Sequence, residues 1–175
     1  MLLKLKRTPG IYLVGFMGCG KSTVGRALAD HIGWNFIDLD EEIERTQGTS
    51  IPEIFDEKGE AAFREIETAA LRERVKLVDR GRPFVIAVGG GAFLSDANVK
   101  TLTQSGVTIW LDCPLETIER RVAGFEHRPL ARDPEKLREL YQARRASYER
   151  AEYRVEVNGN DPEAIVRDIL ALSLL

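Results

Sequence analysis

The apolar run Ile11-Tyr12-Leu13-Val14 leads straight into Gly15-Phe16-Met17-Gly18-Cys19-Gly20-Lys21-Ser22, after which the pattern turns helical. This segment constrains the chain more than any other. A strand, a glycine-rich turn matching G-x-x-x-x-G-K-S/T and a helix form the context in which this motif cradles phosphate. Glycines let the backbone curl so that successive N–H groups point inward at phosphate oxygens. The helix N-terminus adds partial positive charge. Lys21 is expected to reach the β- and γ-phosphates of ATP, and Ser22 to hold Mg²⁺. Gly18, Cys19, Gly20, Lys21, Ser22 and Thr23 are thus the expected nucleotide-binding residues. Cys19 is either a small filler within the loop or a thiol activated by the local positive field.

A βα unit of this kind sits in a larger alternation. After the first strand, strand-like runs at Asn35–Ile37, Phe84–Val88, Val107–Leu111 and Tyr153–Val157 are separated by helical patterns. Ser50, with Glu53 three residues on, reads as a capping box. A longer charged helix is expected from about Glu60 to Val78, and Ser95 is expected to cap the next. Further helices are expected from about Pro114, over Pro134–Arg150 and from Pro162. Alternating strands and helices imply an α/β fold with a parallel sheet covered on both faces, and ligands beyond the carboxyl ends of the strands. A chain of 175 residues without repeats or linkers is read as a single domain, 1–175.

Composition excludes several classes. No run of about 18 apolar residues is present, so no membrane partner is expected. The basic N-terminus lacks a long apolar stretch and is read as a leader into the first strand rather than a secretory signal. Cys19 and Cys113 are too few for a disulfide framework or a four-ligand metal site, which leaves a cytoplasmic setting as the expectation. A formal net charge of −3 argues against nucleic acid. Arg120, Arg121, Arg128 and Arg132 nevertheless cluster, either for an anionic small ligand or as a solvated face.

The metal needs a carboxylate besides Ser22. Asp112 ends the Val107–Leu111 strand, as a metal-binding strand-end aspartate would. Asp38 ends the second strand, and alternation along an extended segment would put Asp38 and Asp40 on one side. Two carboxylates so placed point to a cation or a polyol, the alternative being a helix N-cap role for Asp40. Asp38 is preferred for the metal side, and Asp112 is read as a decoy.

The ordered set Gly15 to Thr23, Asp38-Leu39-Asp40, Phe63-Arg64-Glu65-Ile66-Glu67, Gly89-Gly90-Gly91 and Arg128-Pro129-Leu130 resembles the shikimate kinase family over nearly the whole chain. The resemblance implies a P-loop fold of the nucleoside-monophosphate-kinase type. Its five parallel strands would run in the order 2-3-1-4-5, with a lid at about 124–133 and a substrate-binding region at about 38–78. It implies ATP and Mg²⁺ as cofactors, shikimate as the small-molecule partner, and a monomer. Asp40 would bind the shikimate hydroxyls and act as base. Arg64, held by Glu67, would bind the carboxylate together with Arg144, with which the neighbouring Arg145 could be confused. Gly89, Gly90 and Gly91 would line the substrate through their backbone. Arg128 would cross to the phosphates on lid closure. Arg121 and the segment 158–162 would face adenine. Cys19 and Ala131 depart from the family pattern, the second in the lid.

The same residues make chemical sense. A hydroxylated carboxylic acid calls for planar bidentate donors at one end and a carboxylate beside its reacting hydroxyl. A kinase must also exclude water, which a closing loop achieves. The bland readings are an ordinary turn for the glycine run and a surface ion pair of Arg64 with Glu60 or Glu67. His31 is read as a helix-end residue, and His127 as incidental. Rival functions are a kinase for another small acid such as gluconate, a ligand sensor without turnover, and a GTPase-like switch. The last lacks its guanine-reading motif.

Overall fold

The computed structural model describes residues 10–124 and 132–172. The N-terminal leader, His127, Arg128 and Ala131 therefore lie outside the described residues. Five strands form one parallel sheet: β1 (Gly10–Val14), β2 (Asn35–Asp38), β3 (Phe84–Ala87), β4 (Gly106–Asp112) and β5 (Tyr153–Glu156). Their order is β2-β3-β1-β4-β5, and every adjacent pair is parallel. All residues of β1 and β3 are buried. Side chains alternate between faces along a strand, so both faces of the sheet's centre must be covered.

The cover comes from helices α1 (Lys21–Ile32), α2 (Leu39–Gln47), α3 (Ile51–Asp79), α4 (Asp96–Ser105), α5 (Leu115–Ala123), α6 (Pro134–Tyr148) and α7 (Pro162–Leu170). α1 packs against α7 and β3, and α3 against α2 and α4. Gly25 lets α1 approach β2 closely, since a Cβ there would lie 2.4 Å from the Phe36 ring.

Local chemistry explains the boundaries. Ser50 caps α3, and the Ser50 N–H donates back to the Glu53 carboxylate, completing the expected capping box. α3 is continuous except at Gly59, whose φ of 82° and ψ of 170° break the helical path. That kink separates the capped opening turns from the long charged helix expected from about Glu60. The Ser95 side chain caps α4, and proline stands in the first turn of α3, α6 and α7, where a missing N–H is harmless.

One local expectation is corrected. Asp38-Leu39-Asp40 is not an extended segment. β2 ends at Asp38, and α2 begins at Leu39. The Asp38 carboxylate accepts from the N–H groups of Asp40 and Glu41, so Asp38, not Asp40, is the N-cap. An aspartate accepting two orphan amides is a strong helix start, and it overrides the strand alternation.

Candidate active site

The carboxyl ends of the strands open into a cleft of about 940 Å³. The loop after β1 forms one wall. Gly18 and Gly20 adopt left-handed φ values of 74° and 97°, open to glycine at no steric penalty, and the curl they allow ends on the first turn of α1. In this conformation Lys21 Nζ donates to the carbonyls of Gly15 (2.8 Å) and Phe16 (3.1 Å), holding its charge over the loop. Ser22 Oγ donates to Asp38 Oδ2. Asp38 thus faces two ways, one oxygen toward α2 and the other toward the serine. Gly18, Cys19, Gly20, Lys21, Ser22, Thr23 and Asp38 all border the cleft. Cys19 is fully buried, which fits the filler reading rather than an accessible thiol.

Of the arginine cluster, Arg121 alone among the described residues borders the cleft. Its guanidinium donates to Gly18 O at 2.9 Å, to Gly159 O at 3.2 Å and to Asn160 Oδ1 at 3.1 Å. It therefore ties the phosphate loop to the segment between β5 and α7, where Asn160 and Pro162 also line the cleft. Arg120 is exposed and bonds Thr117 on its own helix. Arg132 is exposed as well.

Beside this loop Asp40, Gly90 and Arg144 share the cleft wall. Gly89 and Gly91 are buried just behind it. A Cβ on Gly89 would lie 2.7 Å from Asp40 Oδ1 and 2.8 Å from Glu67 Oε2. On Gly91 it would lie 2.4 Å from both terminal nitrogens of Arg64, and on Gly90 it would lie 3.4 Å from Arg144 Nη1. The glycine run is therefore the point where four ionic side chains from α2, α3 and α6 converge. Only Gly90 offers backbone directly to the cleft; its two neighbours make room for the charged groups. None of the three needs a left-handed φ, so close approach, not turn geometry, explains them.

Arg64 donates to Glu67 at 2.9 Å and to Glu60 at 3.3 Å. The Glu67 pair differs from a surface ion pair, because the Glu67 side chain is 1% exposed. Burial pushes the Glu67 carboxyl above its ordinary range; Arg64 opposes that shift, and the nearby Asp40 adds to it. The guanidinium of Arg64 lies against Gly91, at the edge of the glycine run.

The adjacent Arg144 and Arg145 separate cleanly. Arg145 Nη1 donates to Asp112 Oδ1 at 2.8 Å and stacks over the Trp110 ring at 4.9 Å. Arg154 reaches Asp112 Oδ2 at 2.6 Å. With both oxygens held by arginines, Asp112 is a structural anchor and does not border the cleft. Arg144 points the other way, and its Nε is buried without a hydrogen-bond partner among the described residues. Sequence reasoning did not single out Glu44 or Pro52, which also line the cleft. No motif signals them, since the fold alone brings them to the rim. Among the described residues no group of three or more His, Cys, Asp or Glu could hold a metal, and no helix is long and apolar enough to cross a membrane.

Comparison with known proteins converges with this geometry. The family model described as "Shikimate kinase" matches residues 17–173. The shikimate kinase of Persephonella marina is 41% identical over 164 residues, covering 91% of this chain and 96% of that protein. Among solved structures, shikimate kinase from Acinetobacter baumannii in complex with shikimate superposes with a TM-score of 0.84 at 40% identity, covering 93% of this chain and 90% of that one. The shikimate kinase structure from Bacteroides thetaiotaomicron gives 0.84 at 29% identity, covering 94% and 99%. A glycine-rich loop and a convergence of charges on three glycines share one cleft, and with this extended likeness they show that the chain belongs to the shikimate kinase family.

Proposed function

We propose that the chain transfers the γ-phosphoryl group of ATP to the 3-hydroxyl of shikimate, giving shikimate 3-phosphate and ADP, with 1–175 acting as one cytoplasmic, monomeric kinase domain. The observation that carries this reading is the convergence of Asp40, Glu67, Arg64 and Arg144 on Gly89–Gly91, across one cleft from Lys21. A substrate with a carboxylate and several hydroxyls needs this set: planar guanidinium donors for its carboxylate and an acceptor for its hydroxyls.

Each group then has one task. The Gly18–Thr23 backbone cradles the phosphates, and Lys21 exchanges its carbonyl partners for the β- and γ-phosphate oxygens. Arg121, joining the loop to Asn160, flanks adenine. Arg64 and Arg144 hold the carboxylate, and Gly90 supports the ring. Asp40 accepts the hydroxyl proton as the hydroxyl oxygen bonds to the γ-phosphorus and the bond from that phosphorus to ADP breaks. Arg128 reaches the developing charge from the lid at about 124–133. The segment 38–78 carries Asp40 and Arg64.

Ser22 and Asp38 suit Mg²⁺: their oxygens already meet, and Mg²⁺ favours one or two protein oxygens together with substrate phosphates. When bound it neutralises charge on the β- and γ-phosphates. Asp38 contributes without giving up its cap of α2, because its two oxygens face different partners.

The test is ADP release by the purified chain with ATP and Mg²⁺, with shikimate, gluconate or nucleoside monophosphates as acceptors. Strong stimulation by shikimate alone is expected. Stimulation by gluconate instead would overturn the acceptor assignment, and shikimate binding without turnover would turn the reading into a sensor.

A further inference from the structure

The glycine run raises a mechanical question. Glycine has the weakest backbone preferences of any residue, so Gly89–Gly91 cannot hold its own peptide planes by local sterics. A site that relies on this backbone needs a clamp from elsewhere.

Tyr148 occupies the position of such a clamp. It is the last residue of α6, one turn beyond Arg144, and is 2% exposed. Its hydroxyl donates to the Gly90 carbonyl at 2.6 Å and lies near the Arg144 guanidinium. The ring packs beside Trp110, with centroids 6.1 Å apart, so the hydroxyl has a rigid base. All described peptide bonds are trans. In a planar trans peptide the carbonyl and the next N–H point in opposite directions. Fixing the Gly90 oxygen on Tyr148 therefore fixes the direction of the Gly91 N–H. One hydroxyl thus sets the Gly90–Gly91 peptide.

We propose that Tyr148 is a positioning residue for the acceptor, orienting the Gly90–Gly91 peptide through its hydroxyl. This rests on the reading of this end of the cleft as the shikimate site. The same helix supplies an internal control. Tyr141 also donates to a backbone carbonyl, that of Cys113 at 2.9 Å, and accepts from the neighbouring arginine, Arg145 Nη1, at 2.8 Å. Its partners belong to the Asp112 anchor rather than to the glycine run. Both tyrosines donate to a backbone carbonyl, at different places in the fold.

The experiment compares Tyr148→Phe and Tyr141→Phe with the wild type by steady-state kinetics, by calorimetric titration of shikimate without nucleotide, and by thermal melting. Tyr148→Phe is expected to raise KM for shikimate and weaken direct shikimate binding about five- to tenfold, with KM for ATP within about twofold of wild type. Both substitutions are expected to lower the melting temperature comparably, whereas Tyr141→Phe leaves shikimate affinity within about twofold. Unchanged shikimate affinity in Tyr148→Phe, or an equal loss in both variants, would overturn the proposal. A wild-type chain that neither binds nor phosphorylates shikimate would instead remove the acceptor reading on which the proposal rests.

Discussion

The two ends of the cleft are built on opposite plans. The phosphate loop of the nucleotide end is one contiguous segment, Gly15 to Thr23, whose working groups are largely backbone amides and the side chains of two consecutive residues, Lys21 and Ser22. The acceptor end is assembled from Asp40 on α2, Arg64 and Glu67 on α3, the glycine run after β3, and Arg144 and Tyr148 on α6. The first needs only a strand and a helix in sequence. The second exists only when three helices press on three glycines. The contrast teaches that phosphate binding is a local property of this chain, whereas acceptor recognition is a tertiary one.

The sharpest way to break that contrast is to delete the charge of the local element. Lys21→Ala is expected to lower kcat on the order of 10³-fold while shikimate affinity of the free protein stays near wild type. Parallel loss of both in kinetics and titration would show the two ends to be one unit. Gly89→Ala attacks the assembled end. The new methyl would press on Asp40 and Glu67 together, so KM for shikimate is expected to rise roughly 10²-fold with ATP affinity retained.

A smaller effect sharpens the comparison through pH. Burial holds the Glu67 carboxyl above its ordinary 4.5, and Arg64 partly offsets this. A carboxyl whose folded pKa is raised favours the folded state while protonated. That contribution is complete below the unfolded pKa and is lost as pH rises through the folded one. Arg64→Ala removes the offset, so melting temperature measured upward from about pH 4.5 should fall more steeply than in wild type. Glu67→Gln should flatten the slope and leave an acceptor for Arg64; an unchanged slope in both variants would show that this pair does not govern the acceptor end's stability. The smallest change is expected at Cys19→Ala. A fully buried filler is lost at about 1 kcal/mol of stability, with both KM values within about twofold. A large loss of ATP affinity would give the thiol a role in the loop.

Legibility in the sequence follows the same division. The alternation of strands and helices, the capping box at Ser50 and the phosphate loop all depend on neighbours in the chain, and they stand where the pattern puts them. Asp38 shows the limit. Read by strand periodicity it shared a side with Asp40, but two free amides at the start of α2 captured its carboxylate. Arg144 and Arg145 show another. No pattern in two consecutive arginines tells which faces the cleft; the choice was made by Asp112 on β4, which captures Arg145 and rolls α6 so that Arg144 faces the glycines. Tyr148 carried no signal beyond its spacing from Arg144, because its partner, Gly90, lies far away in the chain.

By itself the sequence determined a nucleotide site and a parallel α/β sheet, since both arise from dihedral preferences, hydrophobic period and hydrogen bonds between near neighbours. Only the tertiary structure decided which carboxylates and guanidiniums meet at Gly89–Gly91. Opposite charges a few ångströms apart are selected by burial and packing among distant elements, and no local pattern encodes that proximity.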